Sequence, residues 1–177
     1  HRDLHSFPTR RSSDLAPVQV VFFGLLGPNK GLHLVQGILE ENERIGRPIH
    51  LHLLGTFSRT FDPSDYACTY HGTYERDSIS EKLAAIAPAL SIIPSLWPET
   101  FCHVLTESWE YNIPVLGSAY GAVGERISRL GGGWVLPPED PKAWLERIVE
   151  IANHPEDYAQ RVNEIHAMKF KTVSEMA

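Results

Sequence analysis

The sequence has few cysteines, no long apolar run and fewer basic than acidic residues. Its two cysteines, Cys68 and Cys102, are too few for a disulfide framework. No apolar run has the roughly 20 residues that a transmembrane helix needs. The 16 Lys and Arg against 22 Asp and Glu give a net charge of −6, which disfavours nucleic acid as a partner. We therefore expect a cytoplasmic protein, with or without peripheral attachment to the inner face of the membrane when full-length.

The first fifteen residues differ in composition from the rest. Residues 1–15 are rich in Ser, Arg and His, show no apolar periodicity and end just before a dense apolar run. They lack the apolar stretch of a signal peptide. We interpret them as a non-native or disordered N-terminal extension. Residues 16–177 have the length and apolar content of a single domain.

Short apolar runs alternate with amphipathic segments along the remaining chain. Residues 17–24, PVQVVFFG, are almost entirely apolar, which is typical of a strand buried on both faces. Residues 32–44 place apolar side chains at helical spacing. Repeated alternation predicts an α/β fold, a Rossmann-like parallel sheet with helices on both faces. Further strands are predicted at 49–55, 67–72, 90–93, 115–118 and 134–136, and further helices at 76–87, 101–112, 121–130 and in two segments of the tail.

The loop after the first predicted strand carries groups suited to phosphate, at the sheet edge where such folds bind ligands. It contains Gly24, Gly27, Lys30 and Gly31. Glycines permit close backbone approach, and Lys30 places a cation at the start of the next helix. The spacing fits neither the P-loop nor the dinucleotide motif. An ordinary turn with a solvated lysine is the alternative.

A second loop, after the strand at 90–93, contains two glutamates eight residues apart. Thr100 is a good N-cap residue, so the next three residues are expected in the first helical turn with free backbone N–H groups. Glu99 then precedes the turn, and Glu107 lies about two turns inside the helix, roughly 10 Å further along. An anion would bind between the two carboxylates. The three residues of the turn are Phe101, Cys102 and His103.

The two carboxylates suit hydroxyl groups better than phosphate. Carboxylates only accept hydrogen bonds, which pairs of sugar hydroxyls donate. Two hydroxyl-rich ends flanking phosphate describe a nucleoside diphosphate sugar. For Glu107 alone, an exposed helical glutamate is the competing interpretation. A third loop, 119–126, opens another helix and either adds backbone donors to the same crevice or forms a simple turn.

The sequence offers little for a metal ion. It has no Asp-x-Asp dyad, the pattern that could carry a divalent metal. His50 and His52 alternate on a predicted strand, but no third ligand follows at a recognisable spacing. We therefore expect no metal and no cofactor besides a nucleotide-sugar substrate.

Several motifs, taken in order, resemble a known family. They are FG-x-L-x-x-x-KG, HG-x-Y, IIPS-x-WPETF, E-x7-E, IPVLGS, GA-x-x-ERI and GGGWVLPPEDP. Over residues 17–154 they resemble the C-terminal domain of the family 4 retaining glycosyltransferases, which have the GT-B fold. The WPET and GAVGERI strings are similar to members that build bacterial surface polysaccharides such as O-antigen.

The resemblance implies a role for each matching residue. Glu99 would contact donor-sugar hydroxyls, Glu107 the ribose hydroxyls and Lys30 the pyrophosphate, with Glu99 and Lys30 as candidate catalytic residues. Positive charge and helix N-termini would stabilise the departing nucleotide without a metal. Two positions depart from the pattern: Leu25 stands where many relatives have Arg, and Cys102 where a Gly often follows the Phe. The remaining predicted donor-site residues are Gly24, Gly27, Gly31, Thr100, Phe101 and His103.

The implied reaction transfers a glycosyl group from a nucleotide sugar to an acceptor hydroxyl with retained anomeric configuration. The resemblance assigns the glycan or lipid-linked acceptor to an N-terminal domain, so we expect this fragment to be inactive alone. Two alternatives remain. One is a non-catalytic sugar-nucleotide-binding module, which Leu25 favours. The other is a fragment of a GT-B epimerase or phosphorylase, against which the E-x7-E string and the lack of a recognisable pyridoxal lysine context speak.

Overall fold

The structure, a computed structural model, describes residues 16–168. They form a six-stranded sheet in the order β3-β2-β1-β4-β5-β6, flanked by α-helices. The predicted extension, residues 1–15, lies outside the described residues. No helix between residues 16 and 168 has the length and apolar character to cross a membrane. The strands are β1 (Val18–Leu26), β2 (Ile49–Phe57), β3 (Cys68–Tyr70), β4 (Leu90–Ile93), β5 (Val115–Ser118) and β6 (Gly133–Leu136), and the helices are α1 (Leu32–Arg44), α2 (Ile79–Ile86), α3 (His103–Glu110), α4 (Gly121–Leu130), α5 (Pro141–Asn153) and α6 (Pro155–Ala167).

The core lies on both sides of the sheet because β1 is apolar on both faces. Val20 and Phe22 belong to the cluster that includes α1 and α5, whereas Val21 and Phe23 belong to the cluster that includes α2. This division follows from the alternation of side chains along a strand. All neighbouring strands pair in parallel. The predicted Rossmann-like sheet with helices on both faces is therefore confirmed.

The element boundaries differ from the prediction at several ends. β1 and β2 pair from Val18↔Ile49 to Leu26↔Phe57, two residues beyond their predicted ends. The glycines that suggested those ends lie opposite one another within the ladder, and a Cβ on Gly55 would lie 2.0 Å from the Gly24 carbonyl oxygen. They therefore permit close strand approach rather than ending the strands. β3 covers three residues instead of the predicted 67–72, and α2 begins at Ile79 instead of 76.

The chain reverses its direction across the sheet at β1. From β1 it proceeds to β2 and β3 on one side and then returns to β4 on the other side. The loops that follow β1 and β4 consequently leave the sheet from neighbouring strands. Open α/β sheets bind ligands at the carboxyl ends of strands at such a point.

Candidate functional site

A crevice opens at the carboxyl ends of β1 and β4. It encloses a cavity of about 100 Å³ that is lined by the last residues of both strands and by the loops that follow them. Its walls are largely apolar and carry one lysine and one carboxylate. The structure thus brings residues of the first two predicted loops together. The lining includes Gly24, Leu25, Lys30, Ser95, Glu99 and Cys102.

Backbone contacts join the two loops. The Asn29 carbonyl accepts hydrogen bonds from the N–H of Leu96 at 3.0 Å and from the N–H of Trp97 at 3.3 Å. Gly31 has a φ of +85°, and a Cβ there would lie 2.1 Å from the Pro94 carbonyl oxygen. Only glycine accommodates both the positive φ and this approach. Gly31 therefore sets how closely the first loop approaches the end of β4.

Lys30 and Glu99 form an ion pair at the cavity. Lys30 Nζ donates to Glu99 Oε1, and the Ser95 hydroxyl lies 3.1 Å from the same oxygen. The Glu99 side chain is 19% exposed and that of Lys30 is 41% exposed, so the carboxylate is the more enclosed partner. Ser95 is buried and belongs to the IIPS-x-WPETF string, but its contact with Glu99 was not predicted, because a serine in a loop gives no signal of a buried contact.

Helix α3 begins later than predicted. Its N-cap is Cys102, whose φ of 62° and ψ of 88° are left-handed, and His103 is its first residue. The prediction that Thr100 caps the helix and that Phe101 and Cys102 lie in its first turn is therefore wrong. A residue with left-handed backbone cannot continue a right-handed helix, so α3 cannot extend from His103 back to Thr100. Glu107 consequently lies about one turn inside α3, not two.

Glu107 is half-buried and acts electrostatically on two tyrosines nearby. Burial raises the pKa of its carboxyl, and the charge of Arg76 partly opposes this rise. Burial, together with the charges of Glu107 and Tyr111, raises the pKa of Tyr74 to about 12. Between residues 16 and 168 no hydrogen-bond donor engages the Glu107 carboxylate, which leaves it able to accept from hydroxyl groups. Sequence reasoning missed Arg76, whereas Tyr74 belongs to the HG-x-Y string.

The third predicted loop supports the second through its backbone. Gly121 has a φ of 58°, and a Cβ there would lie 2.6 Å from Pro98 Cα. The Ala122 N–H donates to the Glu99 carbonyl at 2.9 Å. This donor is therefore engaged within the protein rather than directed to a ligand. Arg126, which lies in α4 with Gly121 and Ala122, donates a hydrogen bond from Nη1 to the Phe101 carbonyl at 2.8 Å. That role was missed, because an arginine on an amphipathic helix is usually solvated.

The histidines of β2 make contacts among themselves and with their neighbours. His50 Nε2 lies 2.7 Å from Thr69 Oγ1. His52 Nδ1 lies 2.8 Å from His71 Nε2, and His52 Nε2 lies 2.7 Å from Gln19 Oε1. The structure thus adds a third imidazole that the spacing did not indicate. Across residues 16–168, however, no group of three or more His, Cys, Asp or Glu is arranged to hold a metal ion.

Comparison with known sequences identifies the family. The sequence model of the family described as "Glycosyl transferases group 1" matches residues 9–167. The chain belongs to this family. No curated protein sequence matches the group 1 domain.

Solved glycosyltransferase structures share the fold of this group 1 domain. The chain is similar to Anabaena HepE in complex with UDP and glucose, with a TM-score of 0.68 and 19% identity over 85% of this chain and 43% of that one. It is similar to sucrose-phosphate synthase from Thermosynechococcus elongatus, with a TM-score of 0.63 and 20% identity over 84% of this chain and 41% of that one. It is also similar to the C-terminal domain of LpcC, a glycosyl transferase group 1 family protein from Francisella tularensis, with a TM-score of 0.61 and 13% identity over 86% of this chain and 87% of that one. The chain spans less than half the length of HepE and the synthase. The half of a GT-B fold that the resemblance implied is confirmed.

The two departures from the family pattern have different surroundings in the group 1 domain. Leu25 is 57% exposed at the rim of the cavity. Its side chain is uncharged, so position 25 adds no positive charge beside Lys30. Cys102 is buried and left-handed. A glycine at that position would adopt this backbone without strain, which is consistent with the Gly that the family resemblance implies there.

Proposed function

We propose that the domain is the donor-binding half of a retaining, family 4 glycosyltransferase. The whole enzyme transfers a sugar from a nucleotide sugar to an acceptor hydroxyl in the synthesis of a cell-surface polysaccharide. The observation that carries the proposal is the Lys30–Glu99 pair, held at the strand-order reversal ahead of the N-terminus of α3. Structures with the same fold support it, since HepE is in complex with UDP-glucose and the catalytic domain of starch synthase IV from Arabidopsis thaliana is bound to ADP and acarbose.

Each polar group has a distinct task in this proposal. Lys30 turns from Glu99 to the diphosphate and neutralises the charge that develops on the leaving nucleotide. Glu99 then accepts hydrogen bonds from hydroxyls of the donor sugar, and Ser95 holds its carboxylate. Glu107 accepts from the ribose hydroxyls. The free N–H groups at the start of α3 favour a bound anion, so the site requires no metal.

The acceptor lies outside this proposed half-site. A glycan or lipid-linked acceptor is bound by a partner domain of the longer protein, and the isolated domain binds donor without completing transfer. The cytoplasm supplies the nucleotide sugar, with the longer protein working at the inner face of the membrane.

Calorimetric titration of the domain with UDP, GDP and ADP tests donor binding. At least one nucleotide should bind, and Glu107→Ala should raise its dissociation constant about tenfold, because hydrogen bonds to a charged group are among the stronger ones. Glu110→Ala, an exposed change on the same helix, is the matched control and should leave binding unchanged. No binding by the folded domain to any of the three nucleotides contradicts the proposal.

A further inference from the structure

Arg126 reaches from α4 to the segment that precedes α3. Its Nη1 donates to the carbonyl oxygens of Phe101 at 2.8 Å and Cys102 at 3.1 Å, and its Nη2 donates to Thr106 Oγ1 at 2.8 Å. One guanidinium thus fixes two successive peptide groups and the first turn of α3. Lysine, with a single ammonium, cannot reproduce this fork.

Aromatic rings enclose the same guanidinium. The Arg126 Cζ lies 4.6 Å from the centroid of the Phe101 ring and 5.3 Å from that of Trp109, both within cation–π range. No carboxylate between residues 16 and 168 pairs with Arg126. Burial lowers the pKa of its guanidinium, an effect that does not bring an arginine near neutrality. Arg126 therefore holds an uncompensated positive charge beside the N-terminus of α3.

The bonds to Arg126 determine where two N–H groups point. In a trans peptide the C=O and the following N–H project in opposite directions. Because Arg126 draws the carbonyls of Phe101 and Cys102 toward itself, the N–H groups of Cys102 and His103 are directed away from it. Among residues 16–168 neither N–H donates to a backbone carbonyl. Cys102 also lines the cavity that contains Lys30.

The backbone conformation of Cys102 makes such support necessary. Its φ of 62° is unfavourable for a residue with a Cβ, by roughly 1–2 kcal/mol. Strained residues of this kind persist where surrounding contacts hold them. Arg126 supplies those contacts on both sides of Cys102.

We propose that Arg126 is a positioning residue, which orients the Cys102 and His103 N–H groups as donors to the diphosphate of the bound nucleotide. This inference rests on the proposed function, because it assumes a diphosphate ligand at the cavity. Arg126 itself contacts the protein and not the ligand. Its loss should therefore weaken the binding of phosphate groups and leave contacts with the nucleoside unchanged.

Nucleotide and nucleoside binding distinguish positioning from general damage. With UDP and uridine as probes, Arg126→Gln should raise the dissociation constant for UDP about tenfold and that for uridine less than twofold. Arg126→Lys keeps the positive charge but loses the three simultaneous hydrogen bonds, so it should also weaken the binding of UDP, by a smaller factor than Arg126→Gln. Arg129→Gln, which removes an exposed charge three residues along α4, is the matched control and should change neither constant.

Two results overturn the inference. Wild-type affinity in Arg126→Lys assigns the effect to charge alone, and equal losses for UDP and uridine assign it to general destabilisation. If Arg126→Gln does not fold, Thr106→Val removes one of the three bonds and should give a smaller loss confined to UDP. If the wild-type domain binds no nucleotide, the proposed function fails instead. The orientation is then tested by amide spectra, in which Arg126→Gln should shift the Cys102 and His103 resonances and Arg129→Gln should not.

Discussion

Lys30 Nζ donates to Glu99 Oε1, so the cation assigned to the diphosphate and the carboxylate assigned to the sugar engage one another. The Lys30–Glu99 pair joins two loops separated by 69 residues in sequence. In this pair the charge of Lys30 balances that of the more enclosed Glu99 carboxylate, because burying a charge without a partner is costly. A donor that binds as proposed must replace this pair with two new contacts.

Glu99→Gln should therefore separate phosphate binding from sugar recognition. Without its carboxylate partner Lys30 is free for the diphosphate, and we expect UDP to bind a few-fold more tightly, in keeping with the modest energies of partly exposed ion pairs. UDP-glucose should lose affinity relative to UDP, since glutamine accepts fewer hydrogen bonds from hydroxyls. Isothermal titration with both ligands measures the two effects.

Two further variants complete that experiment. Lys30→Met should weaken UDP binding, and Glu81→Gln, an exposed change on α2, should leave both affinities as in the wild type. If Glu99→Gln binds UDP no more tightly than the wild type, the ion pair does not compete with the diphosphate.

Gly31 and Gly27 provide a matched test of the first loop. Gly31 has a φ of +85° and little space, whereas a Cβ on Gly27 would meet nothing within 4 Å. Gly31→Ala should lower the free energy of unfolding by about 2–4 kcal/mol, because backbone strain and overpacking each cost about 1–3 kcal/mol and both apply here. Gly27→Ala should change it by no more than about 1 kcal/mol, because the extended backbone of Gly27, with a φ of −127°, suits alanine and the added Cβ meets no other atom. Urea denaturation checks both, and equal stabilities contradict the close approach to Pro94.

Much of the fold follows from local pattern. α1 and β4 occupy their predicted residues, because apolar runs and helical periodicity report burial directly. The ends of β1 and β2 were mistaken because glycine marks either a turn or a close backbone approach, and sequence does not distinguish these. Parallel order followed from alternation of strands and helices.

The site was predictable only in part. The loops that carry Lys30 and Glu99 could be located, since parallel sheets concentrate ligand contacts at one edge. The start of α3 could not, because N-cap preference favours Thr100 while the left-handed backbone of Cys102 depends on tertiary contacts. The contacts of Arg126 join segments 20 to 25 residues apart and leave no local pattern. The contact of Ser95 with Glu99 is local, but it depends on a loop conformation that the sequence does not reveal.

Cys102 offers a direct test of backbone strain. Cys102→Gly and Cys102→Ala both remove the thiol, but only glycine adopts a φ of 62° without steric cost. We expect the glycine variant to be more stable than the alanine variant by about 1 kcal/mol. At Cys68, within strand β3, the order should reverse, because glycine weakens a strand. Chemical denaturation of the four variants checks the prediction, and alanine exceeding glycine at Cys102 refutes it.

His52 should make stability depend on pH. Burial, followed by the charges of His50 and His71, lowers the pKa of His52 from 6.5 to about 4. The unfolded chain then binds more protons between pH 6.5 and 4, so stability is fully present above pH 6.5 and is lost as the pH falls toward 4. We expect the free energy of unfolding to fall by about 1 kcal/mol between pH 6.5 and 5, after allowance for partial exposure.

Urea titrations at several pH values between 6.5 and 5 isolate this contribution. His52→Gln removes the titrating imidazole while an amide can still hydrogen bond near Gln19, so its stability should vary less with pH than that of the wild type. His33→Gln, an exposed change on α1, should keep the wild-type dependence. Identical pH dependence in the wild type and His52→Gln would show that the lost stability comes from other groups. In that case His71→Gln should vary less with pH than the wild type, because burial lowers the pKa of His71 as well.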